Sequence, residues 1–298
     1  MAGRLMLLDT ASLYYRAFFG LPDSLKAPDG TVVNALRGMI DFAATLTARE
    51  RPDAVVACWD DDWRPQWRVD LIASYKAQRL AEAGSEAEET PNALAPQVPL
   101  IAEALALAGI PVIGAPEAEA DDVIGTLAAS WNGPVDVVTG DRDLFQLVDD
   151  ARGVRVLYTA RGVAKLDTVD AAWIRGKYGI EPQAYVDFAV MRGDASDGLP
   201  GVAGIGEKTA AALVNEFGDL DAIVAAAQDS ASSVKPRPRA SLLNSRDYIA
   251  AAREVVAVRR DLAVSVPSPL PSPDPEALRA FGERWGVAGP VTRLLTPA

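Results

Sequence analysis

Acidic side chains stand where apolar runs stop. Between Pro116 and Asp143 the chain carries two clusters, Glu119/Asp121/Asp122 and Asp141/Asp143, separated by a short strand pattern. Asp9 and Asp60 close two other apolar runs in the same way, and a further pair, Asp194 and Asp197, precedes a glycine-rich turn. Collected carboxylates repel: two of them ~4 Å apart cost about 4 kcal/mol at an effective dielectric of about 20. Divalent cations offset that repulsion, and two such ions suit an in-line displacement at phosphorus. Each cluster also has a plainer reading. Glu117, Glu119, Asp121 and Asp122 complement a helix dipole near its N-terminus, and Asp141 alone fits a helix cap. Three strands that each deliver an Asp at the same end are harder to explain in that manner.

Composition narrows the chemistry. The chain has 298 residues, no histidine, one cysteine (Cys58) and a formal net charge of −12. Without histidine, His-dependent triads, imidazole bases and His-ligated zinc are excluded. With one cysteine a structural zinc site is excluded as well, which leaves oxygen ligands and favours Mg²⁺ or Mn²⁺. The lone cysteine suits a reducing compartment. No apolar run approaches the ~18 residues of a membrane span, and the first residues lack the apolar core of a signal peptide. The expected location is cytoplasmic. The negative charge alone argues against a nucleic-acid partner, but metal in the acidic site would neutralise much of it and leave the basic residues to form one face.

The elements that must position these acids follow from periodicity. Apolar runs at 4–8, 54–58, 111–113, 135–139 and 154–158 predict buried strands. Helical spacing predicts helices at 34–48, with Asn34 as N-cap, at 98–109, and from Pro116 through the segment bearing Glu119 to Trp131. A further helix is expected over DLFQLV. Strands alternating with helices indicate an α/β fold with a mostly parallel central sheet flanked by helices. After about residue 166 strand signals stop, and helices are expected at 168–178, 182–192, 207–217, 219–227 and 241–258. Residues 80–92, 229–240 and 265–275 read as loops. In open α/β sheets, sites form at the carboxyl ends of strands. That edge would gather Asp9, Asp60 and Asp141, with Glu119 and Asp122 sharing one helix face.

Two other stretches could meet a polyanion. Residues 193–210, GDASDGLPGVAGIGEKTA, end a helix, turn on Gly198 and Pro200, and lead through Gly201, Gly204 and Gly206 into another helix. Glu207 stands between Gly206 and Lys208, so this is no Walker loop, and no strand precedes it as a dinucleotide fingerprint needs. A helix–hairpin–helix fits, its free N–H groups and Lys208 holding phosphate; an ordinary αα-turn is the alternative. Residues 63–79 interleave Trp63, Trp67 and Tyr75 with Arg64, Arg68, Lys76 and Arg79. That pattern suits stacked bases and phosphates, or equally a solvated amphipathic helix. Arg16 with Tyr14, Tyr15, Phe18 and Phe19, and the cluster Lys235, Arg237 and Arg239, pose the same choice.

Taken together, LLDTASLYYRAF, WDDDWRPQWR, SYKAQR, EAEADDVIGTLA, VVTGDRDLFQLV and MRGDASDGLPGVAGIGEKTA resemble the bacterial 5′-nuclease family. This is the 5′–3′ exonuclease and flap endonuclease group that includes the N-terminal domain of DNA polymerase I, and the form expected from the resemblance is a stand-alone nuclease. The resemblance covers about residues 4 to 260. It implies a site for two or more Mg²⁺ or Mn²⁺ ions formed by Asp9, Asp60, Glu119, Asp121, Asp122, Asp141, Asp143, Asp194 and Asp197. It places Lys76, Arg68 and Arg79 near the scissile phosphate and Tyr75 under a terminal base. Gly201, Gly204, Gly206, Lys208 and Thr209 would grip duplex DNA, with a K⁺ ion at the hairpin. The implied division is a nuclease core over 1–180, with an arch-like insertion at about 70–95, and a helical DNA-binding region over 181–298, with its helix–hairpin–helix at about 183–217.

The implied partner is DNA with a 5′ end or 5′ flap, RNA-primed ends included. The implied setting is replication and repair at the nucleoid, with no membrane and a monomeric protein. The implied reaction is phosphodiester hydrolysis leaving 5′-phosphate and 3′-hydroxyl ends. One departure stands out: many relatives carry Asn after the residue matching Asp197, where this chain has Gly198. A non-catalytic DNA-binding protein of the same fold and a PIN-like ribonuclease are the rival readings. So many repelling acids speak against the first, and the hairpin and arch-like segment speak against the second.

Overall fold

The computed structural model describes residues 2–81 and 88–296. Six strands form one sheet: β1 (Leu5–Asp9), β2 (Ala54–Cys58), β3 (Val112–Ile113), β4 (Val135–Thr139), β5 (Val154–Tyr158) and β6 (Asp167–Val169). Their order is β3-β2-β1-β4-β5-β6, parallel throughout except for β6, which runs antiparallel to β5. The chain departs in opposite directions from β1 and β4, so their adjacent carboxyl ends form the crevice where such sheets place ligands. β6 is a strand that periodicity did not signal. It is only three residues long, and the turn in which Gly162 N–H donates to Thr159 O reverses the chain against β5.

The unbroken run LMLL in β1 has a direct explanation. Strand side chains alternate, so Leu5 and Leu7 enter one apolar layer while Met6 and Leu8 enter the other. A strand buried on both faces needs no polar face. One layer holds α5 (Ala120–Ser130) and most of the C-terminal helices; the other holds α1 (Thr10–Gly20), α2 (Asn34–Glu50) and α4 (Gln97–Leu107). Between β2 and α4 lies the short α3 (Gln66–Leu71). Asn34 opens α2 as its first helical residue, not its N-cap, and its amide donates to Phe18 O and Leu21 O, fastening the end of α1. DLFQLV forms a 3₁₀ turn, Asp143–Leu147, not a longer helix.

Beyond β6 come α6 (Ala171–Tyr178), α7 (Tyr185–Arg192), α8 (Glu207–Phe217), α9 (Leu220–Gln228), α10 (Pro236–Asn244) and α11 (Arg246–Val256). The single helix expected over 241–258 is thus two, and α10 begins inside the stretch read as a loop, with Pro236 at a first-turn position that needs no N–H. Arg239 is spent internally, donating to the carbonyls of Ala227 and Val234. After a segment without regular structure, α12 (Pro275–Arg284) and α13 (Ala288–Leu295) return to the α/β core. Leu278, Phe281, Val287 and Val291 join the layer of Met39, Ile40 and Leu105. Of the segment read as an arch, residues 82–87 lie outside the described residues. No helix among the described residues is long and apolar enough to cross a membrane.

Candidate active site

A cavity of about 1160 Å³ opens at the carboxyl edge of the sheet, lined by Asp9, Asp60, Glu119, Asp121 and Asp141 together with Lys76, Arg79, Tyr15, Arg16 and Phe19. Asp9 ends β1 and caps α1, accepting from Ser12 N–H at 3.2 Å. Its other oxygen accepts from the Thr139 hydroxyl at 2.6 Å, and the Asp141 N–H donates to that same hydroxyl oxygen at 2.8 Å. Thr139 therefore ties the acids of β1 and β4 together across the crevice. Asp60 follows β2 and accepts from Ala120 N–H at 2.7 Å, which docks the start of α5 onto the sheet edge. α5 in turn carries Glu119 at its N-cap and Asp121 in its first turn.

The nine expected acids divide by electrostatics. Among the described residues, Asp9, Asp60, Asp121 and Asp141 face the cavity without an ion pair. Burial, with the charges of Asp60 and Asp141, pushes the Asp9 carboxyl up to about 7, against the lowering effect of its Thr139 and Ser12 hydrogen bonds. Burial raises Asp60 to about 6 despite Lys76 nearby. Burial, Asp9 and Asp141 hold Asp121 well above the usual carboxylate range. The other five each have a cation. Lys76 Nζ donates to Glu119, which also accepts from Arg68 at 3.1 Å and from the Tyr75 hydroxyl at 2.7 Å. Arg68 grips both oxygens of Asp122, at 2.7 and 2.8 Å. Arg79 pairs with Asp197, Arg142 with Asp194 at 2.9 Å, and Arg192 stands 3.8 Å from Asp143.

The unpaired quartet fits divalent metal. Its donors are all oxygen, Lys76 offsets its charge only in part, and nearby Asp143 Oδ1 is buried with no hydrogen-bond partner among the described residues. Among the described residues no three carboxylates enclose a single point at ligand spacing. That suits an ion that keeps several waters and takes one or two carboxylates, as Mg²⁺ does.

A pH dependence follows. The unfolded chain ionises these aspartates near the ordinary value of 3.8, whereas the folded protein resists until about 6 for Asp60 and about 7 for Asp9. Stability from these groups is complete below pH 3.8 and is lost as pH rises through 6 to 7. Asp122 is held low by Arg68 against the effect of burial, so its contribution is lost only on acidification below its ordinary value. In EDTA the melting temperature is therefore expected to fall between pH 5 and pH 8, by the equivalent of a few kcal/mol at about 1.4 kcal/mol per pKa unit. Mg²⁺ should remove most of that fall. Circular-dichroism melts in the two buffers check this, and a flat or rising profile in EDTA would sink it.

The basic residues separate as well. Lys76 and Arg79 line the cavity. Arg68 does not: it is 2 % exposed, and its Nε donates to Val255 O at 3.1 Å, so it joins α3, α5 and the end of α11. Asp122 shares this staple and accepts from Arg259 N–H at 2.9 Å. Tyr75 is 5 % exposed, its ring beneath the Lys76 ammonium at 5.2 Å, so here it orients Glu119 and presents no face for a base.

Residues 74–79 are latched to the second acidic turn. Lys76 N–H donates to Asp197 O at 2.9 Å and the Ser74 hydroxyl to Gly198 O at 2.7 Å. Gly198 has φ +70°, and a Cβ there would lie 2.0 Å from Ser74 O, so this close backbone approach requires glycine.

The hairpin connects α7 to α8. Asp194 and Leu199 exchange backbone hydrogen bonds at 2.9 and 2.8 Å, and the Tyr248 hydroxyl accepts from Gly201 N–H at 3.0 Å. Gly204 and Gly206 leave open space where side chains would stand, and Gly206 N-caps α8, whose first turn contains Lys208 and Thr209. Gly204, Gly206 and Lys208 are exposed and Gly201 and Thr209 half-buried, giving an approachable backbone at a helix N-terminus.

Sequence reasoning gave no role to Thr139, Ser12, Arg142 or Arg192. Thr139, a hydroxyl ending a strand two residues before an aspartate, and Ser12, three residues after Asp9, had local signals. Arg142 and Arg192 meet acids distant in sequence.

The chain matches a family described as 5′–3′ exonuclease, its N-terminal resolvase-like domain over residues 4–179 and its C-terminal SAM fold over residues 180–272. It is 56 % identical over 297 residues to a 5′–3′ exonuclease of Streptomyces coelicolor, covering 98 % of this chain and 99 % of that one. It is 47 % identical over 309 residues to a 5′–3′ exonuclease of Mycobacterium tuberculosis, covering 99 % and 97 %. In fold it is similar to the bacteriophage T5 D15 flap endonuclease in a pseudo-enzyme-product complex with DNA and metal ions, with TM-score 0.65, 17 % identity and 98 % coverage of both chains.

Proposed function

We infer, because this chain belongs to the 5′–3′ exonuclease family, that it is a metal-dependent nuclease hydrolysing DNA phosphodiesters at free 5′ ends and 5′ flaps. The observation that carries this reading is the quartet Asp9, Asp60, Asp121 and Asp141, gathered without an ion pair among the described residues at the crevice between β1 and β4, with Lys76 and Arg79 beside it. Asp9, Asp60, Asp121 and Asp141, helped by Glu119, would hold one Mg²⁺ or Mn²⁺; Asp143, Asp194 and Asp197 would hold a second. Divalent ions supply Lewis acidity and activate water at neutral pH, which suits a chain without histidine.

The remaining work falls to the chain's own groups. Thr139 and Ser12 fix the Asp9 carboxylate, and Tyr75 orients Glu119. Lys76 and Arg79 supply positive charge where a phosphate enters, and their attraction strengthens as charge develops on the leaving oxygen. Arg68 and Asp122 act as scaffold. The backbone at Gly204 and Gly206, with Lys208 and Thr209, follows duplex phosphates without reading sequence, and a K⁺ ion at the hairpin carbonyls belongs to the same reading. We divide the chain near residue 180 into nuclease core and duplex-binding helices, with α12 and α13 serving the core. A DNA substrate implies work at the nucleoid.

A flap duplex labelled at either end, incubated with Mg²⁺, Mn²⁺ or EDTA, tests this. Metal-dependent cuts near the single-strand junction are expected, with 5′-phosphate products. Binding without cleavage, or cleavage of only the RNA version, would overturn it. Lys208→Glu should weaken duplex binding and lower the slope of log affinity against log salt by about 1. An unchanged slope would remove Lys208 from the interface.

A further inference from the structure

Arg192 has no part in the reading above. It ends α7, and its side chain is 10 % exposed. The guanidinium stands 5.3 Å over the Phe188 ring, and its Nε donates to Gly193 O at 3.1 Å. Nη2 lies 3.8 Å from Asp143 Oδ1 and 3.7 Å from Asp194 Oδ2. Those separations are ion pairs without hydrogen bonds. Among the described residues, Nη1, Nη2 and Asp143 Oδ1 are all buried without a hydrogen-bond partner. A cation so enclosed is tolerated only beside carboxylates, yet it leaves Asp143 Oδ1 without a hydrogen bond among the described residues.

We propose that Arg192 is a resident counter-ion of the outer carboxylate pair, a positioning residue that holds Asp143 and Asp194 together before metal arrives and weakens divalent-ion binding there. The proposal rests on the metal-dependent reading above. Arginine cannot shed its proton, so its charge persists when an ion binds Asp143 and Asp194 and repels that ion. Arg142, 2.9 Å from Asp194, adds to the effect. Lys76 and Arg79 line the quartet's cavity, but among the described residues their ion pairs go to Glu119 and Asp197, not to the quartet, so the two positions should differ in affinity: a tight one at the quartet and a weak one at the outer pair.

Free Mn²⁺, measured by electron paramagnetic resonance during titration of the full chain without DNA, tests this. The parent protein should show a tight and a weak class. Arg192→Met should tighten the weak class about tenfold or more, since one full charge beside a divalent ion is removed, and leave the tight class in place. Arg192→Gln, neutral and polar, should do the same and serves if the Met variant does not fold. Arg192→Lys should stay near the parent. A weak class unchanged or weakened in both neutral variants overturns the proposal, as does equal tightening in all three, which would mean packing and not charge. Absence of any Mn²⁺ binding by the parent would overturn both the proposal and the metal reading, whereas the preceding outcomes touch Arg192 alone.

Discussion

Asp121→Asn is expected to lower metal-dependent flap cleavage by about three orders of magnitude while raising the melting temperature in EDTA. The two effects have one cause. Asp121 is held well above its ordinary pKa by burial and by Asp9 and Asp141, and Lys76, whose ion pair is with Glu119, offsets this only in part. Asn cannot carry charge, so a metal loses a ligand and the metal-free fold loses a repulsion. A thousandfold loss corresponds to about 4 kcal/mol of barrier, within the several kcal/mol that a catalytic ion supplies. The gain in EDTA should be clear at pH 8, smaller at pH 5, and should vanish only below the ordinary value of 3.8, where the unfolded chain is protonated as well. Single-turnover cleavage and melts at the two pH values measure both. A variant that keeps its activity, or that melts lower in EDTA at pH 8, would remove Asp121 from the metal set.

Arg68→Met should be the most destabilising single change near the site. Arg68 bonds both oxygens of Asp122 as well as Glu119 and Val255 O, and lies 4.5 Å from the Trp67 ring. Removing one partner of a buried pair strands the other charge, at a cost of about 3–5 kcal/mol. Asp122 is 0 % exposed, so water cannot relieve it. Arg68→Met combined with Asp122→Asn should recover much of the loss, because the neutral amide oxygen still accepts from Arg259 N–H. Urea unfolding of the two variants decides the matter: a single-variant loss below about 1 kcal/mol would show that the pair is not a staple.

The parallel sheet and the gathering of Asp9, Asp60 and Asp141 were legible because short apolar runs ended by acids state both the strand and its carboxyl end. The partition of the acids was not. Asp122 and Asp121 are adjacent in sequence, yet one faces a cavity and the other an arginine, because successive helical residues point about 100° apart. Which cation meets which acid depends on contacts such as Arg68 with Asp122 and Arg142 with Asp194, set by tertiary structure. Tyr75 looked free to stack because its neighbours are basic, and only the fold brings Glu119 over its hydroxyl. In α12, Leu278 and Phe281 already sat at helical spacing, but the proline-rich approach hid the pattern.

The return of α12 and α13 to the first half of the chain bears on biosynthesis. Met39, Ile40 and Leu105 leave the ribosome early, and Leu278, Phe281, Val287 and Val291, which share their apolar layer, emerge last. At about 5–20 residues per second, the outer faces of α2 and α4 stay uncovered for roughly ten to forty seconds of translation. The nascent chain thus carries an apolar groove that its own tail must reach before a chaperone or another nascent chain does, and a ribosome stalled ahead of α12 leaves that groove bare.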